Sequence, residues 1–356
     1  MDYVTLGSTG IRVNKNGFGA LPIQRVSEST AGLILEKAYQ NGITFFDTAR
    51  DYTDSETKIG MALSGVRDKI VIATKTMAKN ADAFWKSLET SLSMLKTGYI
   101  DIYQFHTPPF CPRPGDDSGL YDAMLEAKAQ GLVRHIGLSN HRISIAREAM
   151  ESGNYEIIQY PFSYLASKEE IEFVRLCADR NIGVLAMKAL SGGLITNTAG
   201  AYLFLMQFDN VIPIWGIQRE SELDEFIAYQ DNPPILDEKS KEALERDIAE
   251  LSGEFCRGCG YCLPCPEKIG IPFAARMSLI VKRAHEAFYF SEHSRESMLH
   301  ADKCTECGQC KEKCPYGIDV PRLIREGLPE YERLLRSADR KFGIRNSEFG
   351  IKGRRL

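Results

Sequence analysis

The sequence predicts an α/β protein: a closed (β/α)8 barrel, or TIM barrel, followed by a small and mainly α-helical domain. From residue 15 to about residue 230, eight short apolar runs rich in β-branched residues alternate with amphipathic stretches of helical length. Strands separated by such helices imply parallel β/α units. Eight of them without a break in composition favour a closed barrel over an open sheet. Beyond residue 255, eight of the ten cysteines fall into two short runs, which predicts a separate domain.

The predicted elements follow one another at regular intervals along the chain. The strands are Asn16–Ala20, Thr44–Thr48, Ile70–Lys75, Ile100–His106, His135–Ser139, Glu156–Tyr160, Gly183–Met187 and Val211–Gly216. The helices are Ser29–Asn41, Ala81–Lys96, Leu120–Gln130, Ile143–Ser152, Lys168–Asn181, Ala199–Phe208 and Glu220–Tyr229. The opening segment Val4–Val13, with Gly7 and Gly10 in its turn, predicts a hairpin that caps the bottom of the barrel.

Four segments are expected along the chain. They are a barrel over 1–235, a connecting helix and linker over 236–254, a cysteine-rich domain over 255–330 and a basic tail over 331–356. Pro233 and Pro234 end the last barrel helix because proline has no N–H to donate within a helix. Ser240–Leu251 is predicted to form one more helix. Phe273–Phe290 is predicted to be helical as well, so that helices place the two cysteine runs side by side.

Composition and charge limit the classes of function. The chain has 356 residues, 44% of them hydrophobic and 26% charged, as in an ordinary globular protein. The net charge of −4 combines +6 over residues 255–356 with −10 over the rest. A basic shell would offset an anionic cluster, although a solvated basic face is the alternative, and no nucleic-acid partner is expected. No run approaches ~18 apolar residues, so no membrane span is expected, and without a leader segment we expect a cytoplasmic protein.

The two cysteine runs predict iron–sulfur clusters. The first is Cys256-x2-Cys259-x2-Cys262-x2-Cys265, the second is Cys304-x2-Cys307-x2-Cys310-x3-Cys314, and a proline follows each. Four thiolates at this spacing can wrap one cuboidal cluster. The second run matches the bacterial ferredoxin pattern, in which the fourth cysteine ligates the other cluster. Zinc sites instead pair two Cys-x2-Cys halves across a longer gap.

We therefore expect two [4Fe–4S] clusters with crossed ligands. Cys256, Cys259, Cys262 and Cys314 would hold one, and Cys304, Cys307, Cys310 and Cys265 the other. Local pairing within each run is the alternative. The shorter last spacing of the first run leaves open whether both clusters are filled.

Four polar residues stand where a barrel of this kind forms its active site, at the C-terminal ends of the strands. Asp47 ends the second predicted strand, Tyr52 follows five residues later, Lys75 ends the third strand and His106 ends the fourth. Each alone has a structural interpretation, as a capping acid, a packed aromatic, a surface lysine or a core imidazole. Their joint order and spacing resemble the aldo-keto reductase family over about residues 3–230, and the family uses such a set as a catalytic tetrad.

The resemblance implies an NAD(P)H-dependent oxidoreductase that reduces a carbonyl, or oxidises an alcohol, by hydride transfer. Tyr52 would be the proton donor. A tyrosine with a pKa near ~10 is a poor acid at neutral pH unless a cation lowers that pKa. Lys75, held by Asp47, would be this cation, and His106 would orient the carbonyl oxygen.

The resemblance also implies the nucleotide contacts. They are Ser139, Asn140, Gln159, Met187, Lys188, Gly193, Gly216, Arg219 and Glu225. Met187 takes the place of an aromatic residue that commonly stacks on the nicotinamide. Glu222 replaces the basic residue typical of 2′-phosphate binding, and Phe226 replaces the asparagine that usually contacts adenine. This exchange predicts a preference for NADH.

The fusion of the two parts resembles a subset of bacterial and archaeal predicted oxidoreductases, and three classes of function stay open. The clusters can exchange electrons with a ferredoxin-like or other redox partner, or they can be structural or redox-sensing in a plain carbonyl reductase. Alternatively, the barrel binds nucleotide with little turnover in an electron-transfer or sensing subunit. The intact tetrad opposes the last class, and the missing flavin signature favours the second. The short linker Leu251–Glu254 predicts that the cysteine domain packs near the nicotinamide pocket.

Overall fold

The computed structural model describes residues 2–251, 253–283 and 291–342. It forms two compact units, Met1–Leu190 with Asn197–Glu245 and Ser191–Thr196 with Arg246–Leu356. Most of the predicted basic tail and the end of the predicted helix Phe273–Phe290 lie outside the described residues. The unit boundaries differ from those expected from the sequence, since residues 246–254 and the short segment 191–196 group with the cysteine domain.

The first unit alternates strands and helices along the chain. Its strands are β1 Tyr3–Thr5, β2 Arg12–Asn14, β3 Gly17–Gly19, β4 Phe45–Asp47, β5 Val71–Thr76, β6 Ile100–His106, β7 Val133–Ser139, β8 Ile157–Pro161, β9 Gly183–Met187 and β10 Val211–Gly216. Its helices are α1 Glu28–Gln40, α2 Ser55–Leu63, α3 Ala81–Met94, α4 Leu120–Ala129, α5 Ile143–Ser152, α6 Lys168–Asp179, α7 Thr198–Met206 and α8 Glu220–Asp231.

Strands β3 to β10 form a closed, all-parallel barrel. Their order around it is β10-β3-β4-β5-β6-β7-β8-β9. The (β/α)8 prediction is therefore confirmed, and every barrel strand begins and ends within two residues of its predicted bounds. The carboxyl ends of all eight strands meet at one end of the barrel because the strands are parallel.

The predicted hairpin is also present. β1 and β2 pair antiparallel, and Val4, Leu6 and Val13 are buried in one apolar cluster with inward residues of the barrel such as Phe45 and Ile102. The hairpin thus fills the end of the barrel opposite the strand C-termini. Burying these side chains removes apolar surface from water, which stabilises this closed end.

Helix α2 is not among the helices predicted from the sequence. It lies between the second and third barrel strands and starts at Ser55. Ile59 and Leu63, four residues apart, are both buried on its inner face. The Ser55 hydroxyl also hydrogen-bonds to the Thr48 hydroxyl and donates to the Ala20 carbonyl, which fixes the start of the helix.

The second unit is mainly helical, as predicted. Helix α9, Glu238–Leu251, begins in the first unit and belongs to the second from residue 246 onward. The other helices of the second unit are α10 Ile271–Ala274, α11 Met277–Arg283, α12 Glu292–Met298, α13 Gln309–Lys313 and α14 Val320–Phe342. Its core includes the fully buried Met277 and Tyr331. Arg283 ties α11 to α9 by pairing with Asp247 and Glu250.

Candidate active site and iron–sulfur centre

The four residues singled out at the strand ends lie together at the C-terminal end of the barrel. Lys75 Nζ is 2.7 and 2.9 Å from the two carboxylate oxygens of Asp47, and it also donates to the Thr48 carbonyl at 2.7 Å. Lys75 Nζ lies 5.4 Å from the ring centroid of Tyr52. The Tyr52 and His106 rings meet edge to face at a centroid distance of 5.9 Å. A fixed cation, a phenol and an imidazole therefore share one pocket.

Burial makes the lysine–aspartate pair a strong local feature. Lys75 and Asp47 are only 1% and 3% exposed. Burial lowers the pKa of Lys75, and the Asp47 carboxylate opposes this shift. Breaking a buried pair by removing one partner leaves an uncompensated charge, at a cost of about 3–5 kcal/mol.

Glu56 is a second buried carboxylate that the sequence interpretation did not assign to the site. It is 1% exposed, it accepts a hydrogen bond from Thr74 Oγ1 at 2.7 Å, and it pairs with Arg50. Its charge also raises the pKa of Lys75. An acidic residue in the first turn of a helix that follows a site loop is the signal that points to it.

The imidazole of His106 is neutral at ordinary pH. Burial, with a smaller effect of the nearby Lys75 charge, lowers the pKa of His106 to about 3. Burial likewise lowers the pKa of His141 to about 3. The site therefore offers His106 as a neutral hydrogen-bond donor, not as a cation.

We expect both imidazoles to remain neutral from pH 8 to pH 5 in the folded protein. The pKa values lie below those of the unfolded chain, so the unfolded chain takes up protons first. The two neutral imidazoles therefore contribute to the stability of the folded protein above about pH 6.5, and this contribution is lost as the pH falls toward 3. Histidine ¹⁵N spectra recorded anaerobically from pH 8 to pH 5 measure the protonation state of each imidazole directly. A midpoint above pH 5 for His106 would contradict the expectation.

The strands beside His106 carry polar atoms that fit a nicotinamide carboxamide. Ser139 is in register with both His106 and Gln159 on the neighbouring strands. Among the described residues, Ser139 Oγ and Gln159 Oε1 are buried without a hydrogen-bond partner. A carboxamide has both an N–H donor and a carbonyl acceptor, so it matches this pair. Gln159 Nε2 donates to Asp47 at 3.1 Å, which joins this site to the tetrad.

Asn140 makes hydrogen bonds within the protein from both ends of its amide. Its Nδ2 donates to the Pro108 carbonyl at 2.8 Å, and its Oδ1 accepts from the Arg142 N–H at 2.9 Å. The side chain is fully buried and shapes the loop after β7. The structure therefore gives Asn140 a loop-holding role, and a direct contact with nicotinamide stays a prediction.

The other expected nucleotide contacts are spread over strand ends and loops. Met187 and Gly216 end β9 and β10, and Lys188 follows with a positive φ of 57°. Gly193 belongs to the segment Ser191–Thr196 of the second unit. In that unit Arg276 donates to the Gly192 carbonyl and Arg283 to the Leu194 carbonyl, so two arginines hold this segment.

The start of α8 is organised by an internal ion pair. Glu222 accepts from the Gln218 and Arg219 backbone N–H groups, and its other oxygen accepts from the Arg219 guanidinium at 2.6 and 2.8 Å. Glu225 accepts from the hydroxyls of Thr198 and Tyr229. The guanidinium that would meet a 2′-phosphate thus already has a carboxylate partner.

The two cysteine runs share one backbone feature between their first and third cysteines. Gly258 and Gly260 in the first run and Glu306 and Gly308 in the second stand at equivalent positions, and all four have positive φ, at 65°, 84°, 54° and 80°. Such residues turn the chain sharply and aim backbone N–H groups inward. The Gly258 N–H lies 3.4 Å from Cys256 Sγ and donates to it. Both runs are therefore curled in the way that a cluster requires.

One cavity of the second unit joins cysteines from both runs. It is lined by Cys265, Cys304, Cys307 and Cys310, with Cys262 also at its wall. Among the described residues, no three metal-binding side chains converge closely enough to hold a single ion. A cuboidal cluster spreads its ligand sulfurs further apart than one zinc ion does, so the donor set fits a cluster better than zinc.

Cys262 lies near Cys256 and Cys259 of its own run and also near Cys310 of the second run. Burial and the charges of Cys256 and Cys259 raise the pKa of Cys262 to about 12. Arg257, next to Cys256, lies over the ring of Tyr316 at 5.7 Å, which brings the segment just after Cys314 toward the first run. Like-charged thiolates at such proximity need a cationic partner, and iron supplies it.

The chain matches two family profiles. Residues 15–210 match the aldo/keto reductase family, and residues 255–319 match the 4Fe-4S dicluster domain. The first match covers barrel strands β3 to β9 and the four candidate catalytic residues. The second covers all eight cysteines of the two runs.

Relatives and solved structures match the barrel. An uncharacterized oxidoreductase of Bacillus subtilis is 30% identical over 56% of this chain and 69% of its own length. The NADH-specific methylglyoxal reductase of Escherichia coli is 30% identical over 56% of this chain and 70% of its own. An aldo-keto reductase of Klebsiella pneumoniae, solved in complex with NADPH, is 21% identical with a TM-score of 0.59 over 69% of this chain and 95% of its own. The chain spans about two thirds of the curated relatives, and the solved structure shows the shared fold alone.

No membrane-spanning helix is present in the part of the chain that the structure describes. None of its helices combines the length and the apolar character that a bilayer requires.

Proposed function

The chain belongs to the aldo/keto reductase family and carries a 4Fe-4S dicluster domain, and from this premise we propose that it reduces a small carbonyl compound with NAD(P)H, using Tyr52 as the proton donor. The observation that supports this best is the buried Lys75–Asp47 ion pair beneath the Tyr52 ring. The reverse reaction, alcohol oxidation, uses the same groups.

Tyr52, Lys75 and Asp47 act as one acid in this proposal. NAD(P)H, when bound, supplies the hydride that reaches the carbonyl carbon, and the carbonyl oxygen becomes negative as this occurs. Tyr52 donates its phenolic proton to that oxygen. Lys75 stabilises the phenolate left behind, and Asp47 holds Lys75 in place through its two short contacts. The products are the alcohol and the oxidised nucleotide.

His106, Ser139 and Gln159 position the reactants. The neutral His106 imidazole donates a hydrogen bond to the carbonyl oxygen and directs it toward Tyr52. The Ser139 hydroxyl and Gln159 Oε1, buried and without partners among the described residues, would hold the nicotinamide carboxamide. This arrangement fixes the nicotinamide ring over the pocket before the carbonyl enters.

The experiment that tests the proposal is turnover of anaerobically purified protein. NADH and NADPH oxidation are followed at saturating nucleotide with a panel of small aldehydes, 2-oxoaldehydes and ketones. The similarity to a methylglyoxal reductase makes 2-oxoaldehydes the first class to examine. The proposal is contradicted if no member of the panel raises nucleotide oxidation above the rate measured with nucleotide alone.

We expect NADH to be preferred over NADPH by about tenfold in kcat/KM, a difference of about 1.4 kcal/mol. The reason is that Glu222 already holds Arg219 and would repel a 2′-phosphate. Glu222→Gln keeps an oxygen for the helix cap but removes the charge, so it should improve kcat/KM for NADPH severalfold and leave NADH nearly unchanged. Glu220→Gln is the matched control, because it removes an exposed charge two residues away. An equal gain in both variants would mean that overall charge, and not Glu222, sets the preference.

Two [4Fe–4S] clusters would be held by the eight cysteines of the second unit, and each would supply one-electron chemistry. One cavity is lined by Cys265 of the first run and by Cys304, Cys307 and Cys310 of the second. Cys307 is exposed, whereas Cys256 and Cys262 are buried. The exposed cysteine favours electron exchange between its cluster and an external redox partner, in addition to the carbonyl reductase activity.

A further inference from the structure

Gln104 is a buried amide that the tetrad does not use. It lies on β6 two residues before His106, so both side chains project from the same face of the strand. Ile102, a further two residues back, is part of the apolar cluster inside the barrel. Gln104 is completely buried, and neither its Oε1 nor its Nε2 has a hydrogen-bond partner among the described residues.

An amide in this position is costly for the fold. Burying a donor and an acceptor without partners forfeits the hydrogen bonds that both made with water in the unfolded chain. An apolar side chain of the same size would fill the space without that penalty. The amide therefore points to a ligand or a catalytic neighbour and not to packing.

The neighbouring strand makes room for the amide. Gln104 is in register with Gly137 on β7. A Cβ at Gly137 would lie 2.8 Å from Gln104 Cγ, so only glycine lets the amide extend across β7. The next inward residue of β7 is Ser139, which is in register with His106.

The unpartnered atoms form a small group beside His106. Ser139 Oγ and His106 Nδ1 are both buried without a partner among the described residues, as are both polar atoms of Gln104. A water enclosed here would have enough polar partners to be held. These atoms make no hydrogen bond with one another in the structure, so they would have to move closer together or share one enclosed water.

The chemistry of His106 requires a donor at this place. Burial keeps the imidazole neutral, with the pKa lowered to about 3, and a neutral imidazole has one N–H and one acceptor nitrogen. Nδ1 is the enclosed nitrogen, so Nε2 is the one left to meet a substrate. For Nε2–H to donate to a carbonyl, Nδ1 must accept a hydrogen bond.

We propose that Gln104 is a positioning residue for carbonyl reduction: its amide N–H, directly or through one enclosed water, donates to His106 Nδ1 and selects the tautomer that carries its proton on Nε2. This inference rests on the proposed reductase function. In the other tautomer His106 would present a lone pair to the carbonyl oxygen and repel it, as happens when the orienting partner of a catalytic histidine is lost.

The test replaces the amide by a side chain of similar shape. Gln104→Met should lower kcat by about 10- to 100-fold, as loss of an orienting partner does elsewhere, with the Kd for NADH changed less than about twofold. The melting temperature should stay level or rise, because a buried polar group is removed. Long-range ¹H–¹⁵N histidine spectra should show the Nε2–H tautomer of His106 in the wild type and a loss of its dominance in the variant.

Ile102→Val is the matched control. It trims an inward residue of the same strand without touching the polar group, so it should lower the melting temperature and leave kcat and the tautomer unchanged. If Gln104→Met does not fold, Gly137→Ala displaces the amide while Gln104 is retained, and it should shift the tautomer in the same way.

Either of two results would overturn the inference: an unchanged His106 tautomer in Gln104→Met, or a kcat within about threefold of the wild type. If the wild type reduces no carbonyl at all, the proposed function fails. The tautomer of His106, measured without substrate, then still decides the role of Gln104.

Discussion

Tyr52→Phe is expected to lower kcat for carbonyl reduction by about 1,000-fold or more, and to leave the Kd for NADH within about twofold of the wild type. The phenolic hydroxyl is the proposed proton donor, whereas the ring only lines the pocket beside His106. Without this proton the developing alkoxide has no acid to neutralise it. Anaerobic steady-state kinetics and a fluorescence titration with NADH measure the two quantities.

Tyr103→Phe is the matched control for this experiment. This variant also removes one phenolic hydroxyl. In the wild type that hydroxyl donates to Ser87 at 3.2 Å, away from the tetrad, so turnover should stay at the wild-type level. A Tyr52→Phe variant that keeps turnover within about tenfold of the wild type would show that the tetrad is assigned wrongly.

The candidate tetrad could be proposed from the sequence because its residues occupy recognisable positions and their order resembles that of the aldo-keto reductase family. Asp47, Lys75 and His106 each stand at or next to the end of a short apolar run, and Tyr52 follows Asp47 by five residues. Parallel strands bring their carboxyl ends to one end of a barrel. Asp47, Lys75 and His106 could therefore be placed together once their strands were identified. The distances that join them, such as the contacts of Lys75 with Asp47, confirm that they meet.

Other parts of the barrel site depend on tertiary contacts that no local pattern encodes. Gln104 interrupts an apolar strand at an inward position, which is a visible signal, but its lack of partners follows only from the packing around Gly137. Asn140 was expected to contact nicotinamide, and the structure commits both ends of its amide to the neighbouring loop. Glu56 lies in helix α2, which was not predicted, because the start of this helix is anchored by a contact of Ser55 with the distant backbone of Ala20.

The cysteine domain shows the same division between local and long-range information. The spacing within each run predicts a tight curl, and the equivalent positive φ values of the two runs agree with it. Whether a fourth ligand comes from its own run or from the other depends on how the helices between the runs fold back. Sequence spacing is compatible with both arrangements.

We expect the anaerobically purified protein to contain about eight iron and eight sulfide per chain and almost no zinc, as two [4Fe–4S] clusters require. Two features support crossed ligation. Cys265 shares a cavity with Cys304, Cys307 and Cys310, and Cys262 also lines it. The segment just after Cys314 approaches the first run through Arg257 and Tyr316. Iron, sulfide and zinc analyses measure the composition, and near four iron, or stoichiometric zinc, would contradict it.

Crossed ligation is tested in two variants of the full chain, each of which lacks the first three cysteines of one run. Removing Cys304, Cys307 and Cys310 together should leave one cluster, about four iron, on the first run and Cys314. In that background Cys314→Ala should abolish the cluster, whereas Cys265→Ala should leave it unchanged, because a fourth thiolate is lost only in the former. The reciprocal background, without Cys256, Cys259 and Cys262, should show the opposite dependence and covers the case in which the first variant does not fold. If Cys265→Ala removes the cluster in the first background and Cys314→Ala does not, each run ligates its own cluster. The shared cavity would then reflect packing of the two runs and not shared ligation.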